Sequence, residues 1–179
     1  FIVDDGAGGT NRKVTASRIK TYAGGGLFSS YAILADRKSQ NTSAGTFTSG
    51  AWRTRDLQTE VADPDSIVSI SSNEFTLAAG NYLIRWSAHA GGVDRNQTRL
   101  YDVTGTAEVG VGGINYSGDD SNYLWNRSWG DGSARVTPSG SNAYRIEHQC
   151  DTTWADDGFG IACNFTTEQY CLVEIFKEE

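Results

Sequence analysis

The stretch FTLAAGNYLIRWSAHA, residues 75–90, constrains the fold more than any other part of the chain. Phe75 and Leu77 flank one polar residue, Ala79-Gly80-Asn81 supplies a turn, and Tyr82, Ile84, Trp86 and Ala88 then recur at every second position. A period of two places each set on one face of a strand, because successive side chains leave a pleated backbone on opposite sides. A slip of one residue would turn the whole apolar set to water, so the facing of such a strand is strongly specified. The pattern returns in NAYRIEHQC, where Tyr144, Ile146, His148 and Cys150 are in phase. YAILADRK, AWRTRDLQTEV, TRLYDVT, EVGVGGINYSG, NYLWNRSW, FGIACNF and QYCLVEIF are the remaining strand candidates, and Asp131-Gly132 is expected to turn toward SARV. Strands at a spacing of roughly 8–14 residues, with almost no helix after residue 24, predict an all-β antiparallel sandwich, most simply a jelly roll.

Residues 1–26 do not share this pattern. DDGAGGTN is a loop by composition, and RKVT is long enough only for one strand or a turn. Thr15 can cap a short helix, ASRIKTYA, that ends at Gly24. A helix of about two turns is unstable alone in water, so it needs the body, a second copy or upstream chain to pack on. Gly24-Gly25-Gly26 then decouples it from the rest of the chain. The expected organisation is a short helical connector over 1–26 and a head domain over 27–179. The chain starts at Phe1 and contains no methionine, as expected of a piece of a longer protein.

With 179 residues, 38% of them apolar and 21% charged, one domain with a sizeable core is expected. The net charge is −7, and the acid lies in the body: residues 1–22 hold four basic and two acidic side chains, leaving eleven basic and twenty acidic. Such a body is repelled by phosphate backbones and anionic lipid. No apolar run approaches the roughly 18 residues of a membrane span. Neither nucleic acid nor membrane insertion is expected. Cys150, Cys163 and Cys171 are an odd number without a CxxC pair, which reads as thiols in a reducing cytoplasm. The alternative is one Cys163–Cys171 bridge across a hairpin of 160–165 and 169–176.

Gly6-Ala7-Gly8-Gly9 beside Arg12-Lys13 lacks the spacing of a phosphate loop. The two histidines, His89 and His148, have no nucleophile elbow near them, so a hydrolytic triad is not expected. Asp63-Pro64-Asp65, Asp119-Asp120 and Asp156-Asp157 sit in turn-like sequence, where aspartate commonly caps the turn. No catalytic residue, metal ligand or cofactor is therefore assigned. The aromatic residues point further. Tyr123, Trp125 and Trp129 crowd beside Asp119 and Asp120 in SGDDSNYLWNRSWGDG, and Trp154 lies in DTTWADDG. Aromatic faces beside such polar groups can stack on sugar C–H groups while the neighbours take the hydroxyls. Core packing or a subunit interface would use the same residue types.

DDGAGGTNRKVTASRIKTYAGGG resembles a connector segment that recurs in bacteriophage virion proteins ahead of a C-terminal domain. FTLAAGNYLIRWSAHA, TRLYDVT, YRIEHQC and GFGIACNFTTEQYCLVEIFKEE resemble the tumour-necrosis-factor and complement-like jelly rolls in their phage versions, found at fibre tips. The resemblance covers the connector and roughly half of the rest. It implies a non-enzymatic, homotrimeric virion protein, joined to an upstream fibre shaft or another virion protein, whose distal loops touch a host-surface glycan or protein. A capsid fibre or decoration protein without a receptor is the alternative it implies.

Overall fold

The computed structural model describes residues 2–3, 12–13, 26–118 and 127–179. Near the N-terminus, β1 (Ile2–Val3) pairs antiparallel with β2 (Arg12–Lys13). The helix expected over 16–23 lies outside the described residues, as do Asp119, Asp120, Tyr123 and Trp125.

The body is two antiparallel sheets. One holds β5 (Thr59–Ala62), β3 (Phe28–Lys38), β13 (Glu168–Glu178), β8 (Tyr82–Gly91) and β11 (Arg127–Val136), side by side in that order. The other runs β6 (Val68–Ser71), β7 (Glu74–Leu77), β12 (Asn142–Cys150), β9 (Asp94–Asp102), β10 (Ala107–Ser117), and β4 (Arg53–Thr54) pairs with β12. Chain neighbours β7 and β8 belong to different sheets, as do β8 and β9, so the Ala79-Gly80-Asn81 turn carries the chain across the sandwich. This crossing back and forth is the jelly-roll connection, and it places the two inner faces against each other.

The alternation read from the sequence is the alternation of burial. Phe75, Leu77, Tyr82, Ile84, Trp86, Ala88, Tyr144 and Ile146 all enter one core with Leu34, Leu57, Leu100, Val173 and Ile175. His148 and Cys150 are buried in phase with them. A smaller cluster of Phe47, Ala90, Val93 and Cys150, with Trp154 and Phe159 against it, closes one end.

Two sequence expectations are corrected. Asp131-Gly132 is not a turn but lies inside β11, opposite Ser87 and Trp86. The glycine is there because the Trp86 indole occupies its side-chain space: a Cβ at Gly132 would sit 2.1 Å from that ring. Gly112 of β10 likewise leaves its space to Thr98, whose hydroxyl would stand 2.1 Å from an added Cβ. Trp86 Nε1–H donates to Thr98 Oγ1 at 2.9 Å, so the glycine-rich strands close around one buried hydrogen bond. The second correction concerns 160–165, which forms no hairpin with β13; that strand pairs with β3 and β8. Cys171 therefore faces the core while Cys163 is exposed, and no disulfide joins any two of the three cysteines. Burial pushes the Cys150 and Cys171 thiols up to about 11.

Candidate functional site

Trp129 and Trp154 come to the same end of the sandwich. Trp129 stands opposite His89 in the β11–β8 register and meets its ring edge-on, with centroids 5.4 Å apart. It remains 45% exposed. Trp154 is half-buried: Nε1–H donates to Asp157 at 2.7 Å, and the indole lies against Gly92, where a Cβ would be 2.8 Å away. Reciprocal 3.0 Å backbone bonds between Phe47 and Trp154 staple their two loops together. The strands bracketing residues 119–126 also end here, Ser117 opposite Asp94 and Arg127 opposite Gly91.

Beneath these rings lies a buried polar layer, in which the sequence pattern placed His148 but not Arg55. Arg55 is fully buried between the sheets, where its guanidinium donates to the carbonyls of His89, Phe159 and Tyr170 at 3.0–3.1 Å and lies over the Phe159 ring. His148 shares a 3.0 Å hydrogen bond with Asn96 Oδ1 and packs on Phe47. Its Nδ1 is buried with no partner among the described residues. Burial, with Arg55 and His89 adding positive charge nearby, holds the His148 pKa well below the ordinary histidine value. A neutral ring donating from Nε2 satisfies this geometry. Neither histidine is presented to solvent.

Asp63 caps a turn, and Asp157 holds an indole. Asp63 accepts from the amides of Ile67 and Val68 at 2.9 and 3.1 Å, and Asp157 takes the Trp154 indole proton. Among the described residues no cluster of His, Cys, Asp and Glu is placed to hold a metal ion.

The outward face of the six-stranded sheet is built as rows of side chains across strands. In one row Arg145, Tyr101 and Glu108 are register partners; in the next are Glu147, Arg99 and Val111. Glu147 is only 3% exposed although it points away from the core. Arg99 Nε donates to its Oε2 at 2.6 Å and Arg145 Nε to its Oε1 at 2.8 Å. The Arg99 guanidinium is also stacked, 4.2 Å from the Trp52 centroid and 4.9 Å from that of Tyr101. Charge and aromatic rings together fill these two rows.

The following row is left open. Gln149, Gln97 and Ile114 are register partners across β12, β9 and β10, and Trp52 comes beside Gln149 just before β4. These four, with Arg95 and Asp151 beyond them, line a cleft of about 380 Å³. Arg95 Nε donates to Asp151 Oδ2 at 2.5 Å. Trp52 gives no sequence signal, because along the chain it is one apolar member of an alternating strand.

The outward face of the five-stranded sheet differs in kind. Tyr31, Phe176 and Leu83 form one cross-strand row, with Ile33 in the next row and Leu172 in the one after it. Phe28 packs on Phe176, ring centroids 5.1 Å apart. Arg85 and Glu174 are the charges paired within this patch, at 4.0 Å.

No sequence-family model matches the chain, and no curated protein is similar to it in sequence. Solved structures are similar in fold. Murine APRIL at pH 8.0 superposes with a TM-score of 0.52 at 9% identity, covering 83% of this chain and 98% of that one. The globular domain of zebrafish complement 1qA gives 0.50 at 14% identity, over 82% and 95%. The body has the tumour-necrosis-factor/complement-type jelly-roll fold. Murine APRIL at pH 5.0 agrees, with a TM-score of 0.53 at 9% identity over the same shares of the two chains. The likeness is one of fold.

Proposed function

We propose that this chain is the homotrimeric head of a bacteriophage fibre, a virion protein without an enzymatic step, whose jelly roll contacts a glycan or protein on the host surface. The observation that carries this reading is the contrast between the two outward sheet faces on a tumour-necrosis-factor/complement-type fold. One face is a patch of half-buried Phe28, Ile33, Leu83, Leu172 and Phe176 with the more exposed Tyr31, the composition of a surface that meets another subunit. The other sheet face is polar, aromatic and preorganised, which suits recognition. The connector resemblance of residues 1–26 supports attachment to an upstream shaft.

The test is adsorption. Fluorescently labelled protein should bind susceptible bacteria and block infection by the parent phage. A protein that neither binds any susceptible strain nor blocks infection overturns the reading.

A further inference from the structure

The open row on the six-stranded sheet has the chemistry of a small polar ligand with one apolar face. Its floor is two amides, Gln97 and Gln149, directly opposed across an antiparallel pair, a relation that sets Cβ atoms about 4.5–5.5 Å apart. Two amide heads at that spacing reach hydroxyls of a single ring. Gln97 gives its Nε2 to the Gly112 carbonyl at 2.9 Å, which holds its own oxygen in place as an acceptor. The Gln149 amide has no hydrogen-bond partner among the described residues, so its donors and acceptor are available. The ends of the row are apolar: the Trp52 indole on one side and Ile114, 79% exposed in mid-strand, on the other.

Trp52 is held rather than merely present. Arg99 stacks on it, and Arg99 is itself fixed by Glu147 and Glu108. Pre-fixing a binding ring in this way reduces the ordering cost of complex formation. The charges nearby cancel, since Arg95 is paired with Asp151, and Arg99 and Arg145 with Glu147 and Glu108. A net-acidic body further disfavours anionic saccharides.

We propose that the cleft bounded by Trp52, Gln149, Gln97 and Ile114, with the Arg95–Asp151 pair at its end, is a subsite for one neutral hexopyranose unit. The sugar's C–H face lies on the apolar walls and its hydroxyls on the amides and the ion pair. This rests on the host-recognition reading above and gives it a place on the molecule. A single subsite of this size binds weakly, with a Kd on the order of 1 mM. Three copies on one stalk would raise the apparent affinity about 10²–10⁴-fold where geometry allows simultaneous contact.

Labelling the full chain with 5-fluorotryptophan gives one fluorine resonance for each of the five tryptophans. The probes are the methyl glycosides of glucose, galactose, mannose and N-acetylglucosamine, each titrated in turn. At least one should shift the Trp52 resonance saturably. Gln149→Ala should weaken that Kd at least tenfold with an unchanged unfolding midpoint, and Trp52→Ala, which removes the reporter, should abolish binding read from the glycoside's own saturation-transfer signal. Because Trp52→Ala also uncovers Arg99, the Gln149 variant keeps the test valid if the former loosens the fold. Shifts confined to Trp125, Trp129 or Trp154 would overturn this cleft while leaving glycan recognition standing at those rings. No shift with any of the four glycosides would also overturn it, and the adsorption assay then decides the host-recognition reading separately.

Discussion

The two sheets obey the same alternation, yet their outward faces hold opposite chemistry. On the five-stranded sheet the outward positions of β3, β13 and β8 include Tyr31, Ile33, Leu172, Phe176 and Leu83, broken by one Arg85–Glu174 pair. On the six-stranded sheet the outward positions of β9 and β12 are Arg95, Gln97, Arg99, Tyr101, Arg145, Glu147 and Gln149. A sandwich needs only its inner faces to be apolar. The apolar outward face is therefore unexplained by folding one copy, and the ordered polar face is more elaborate than solubility requires. We take the first as the surface between copies and the second as the surface offered to a ligand.

The sharpest way to break this contrast is from within the polar face. Glu147→Ala would leave Arg99 and Arg145 facing each other without their shared carboxylate, nearly buried. The expected loss is about 3–5 kcal/mol, measured by urea unfolding, and Trp52 should lose its fixed orientation with it. Gly132→Ala tests the corner where the two sheets close; forcing a methyl into the Trp86 ring should cost about 1–3 kcal/mol. The buried end of the sandwich should respond to acid. His148 stays neutral in the folded state because its pKa there is depressed, whereas the unfolded ring takes a proton below about 6.5. Its contribution is thus complete above pH 6.5 and is lost as pH falls below it, by up to about 1.4 kcal/mol per pH unit. Comparing the pH slopes of wild type and His148→Gln isolates this proton from those of the carboxylates, and equal slopes would refute it. The smallest effect is expected at the exposed end of the cleft. Asp151→Asn removes a solvent-exposed ion pair and should change stability by less than about 1 kcal/mol.

Much of the fold was legible because burial imposes a period of two. Phe75 through Ala88 and Tyr144 through Cys150 announced their facing in the sequence, and Asp63 announced its turn. What escaped was whatever depends on partners far along the chain. Gly132 follows an aspartate, as in many hairpin turns, and only the position of Trp86 reveals that the missing side chain makes room for a ring. Arg55 looked like one polar residue of an alternating strand, yet the chain crosses between the sheets there and buries it under three carbonyls. The alternative bridge between Cys163 and Cys171 required a hairpin, but the partners of β13 are β3 and β8. The aromatic signal divided. Trp129 and Trp154 do converge at one end, where Trp154 serves to staple two loops. Trp52, the ring with an amide-floored cleft beside it, is recognisable only once β4 is seen to pair with β12. The cross-strand row Gln149–Gln97–Ile114 joins residues from three strands and leaves no mark at any one of them.

The central claim is that the five-stranded sheet face is covered by another copy of the chain, leaving the opposite face for recognition. Light scattering on a size-exclusion column tests it most directly, with wild type and Phe176→Arg run side by side. The account predicts a wild-type mass three times the 19.4 kDa of the chain. It predicts a folded single chain for Phe176→Arg, with β-sheet circular dichroism retained. A monomeric wild type, or a variant that stays trimeric with a charge at the centre of that face, would contradict it.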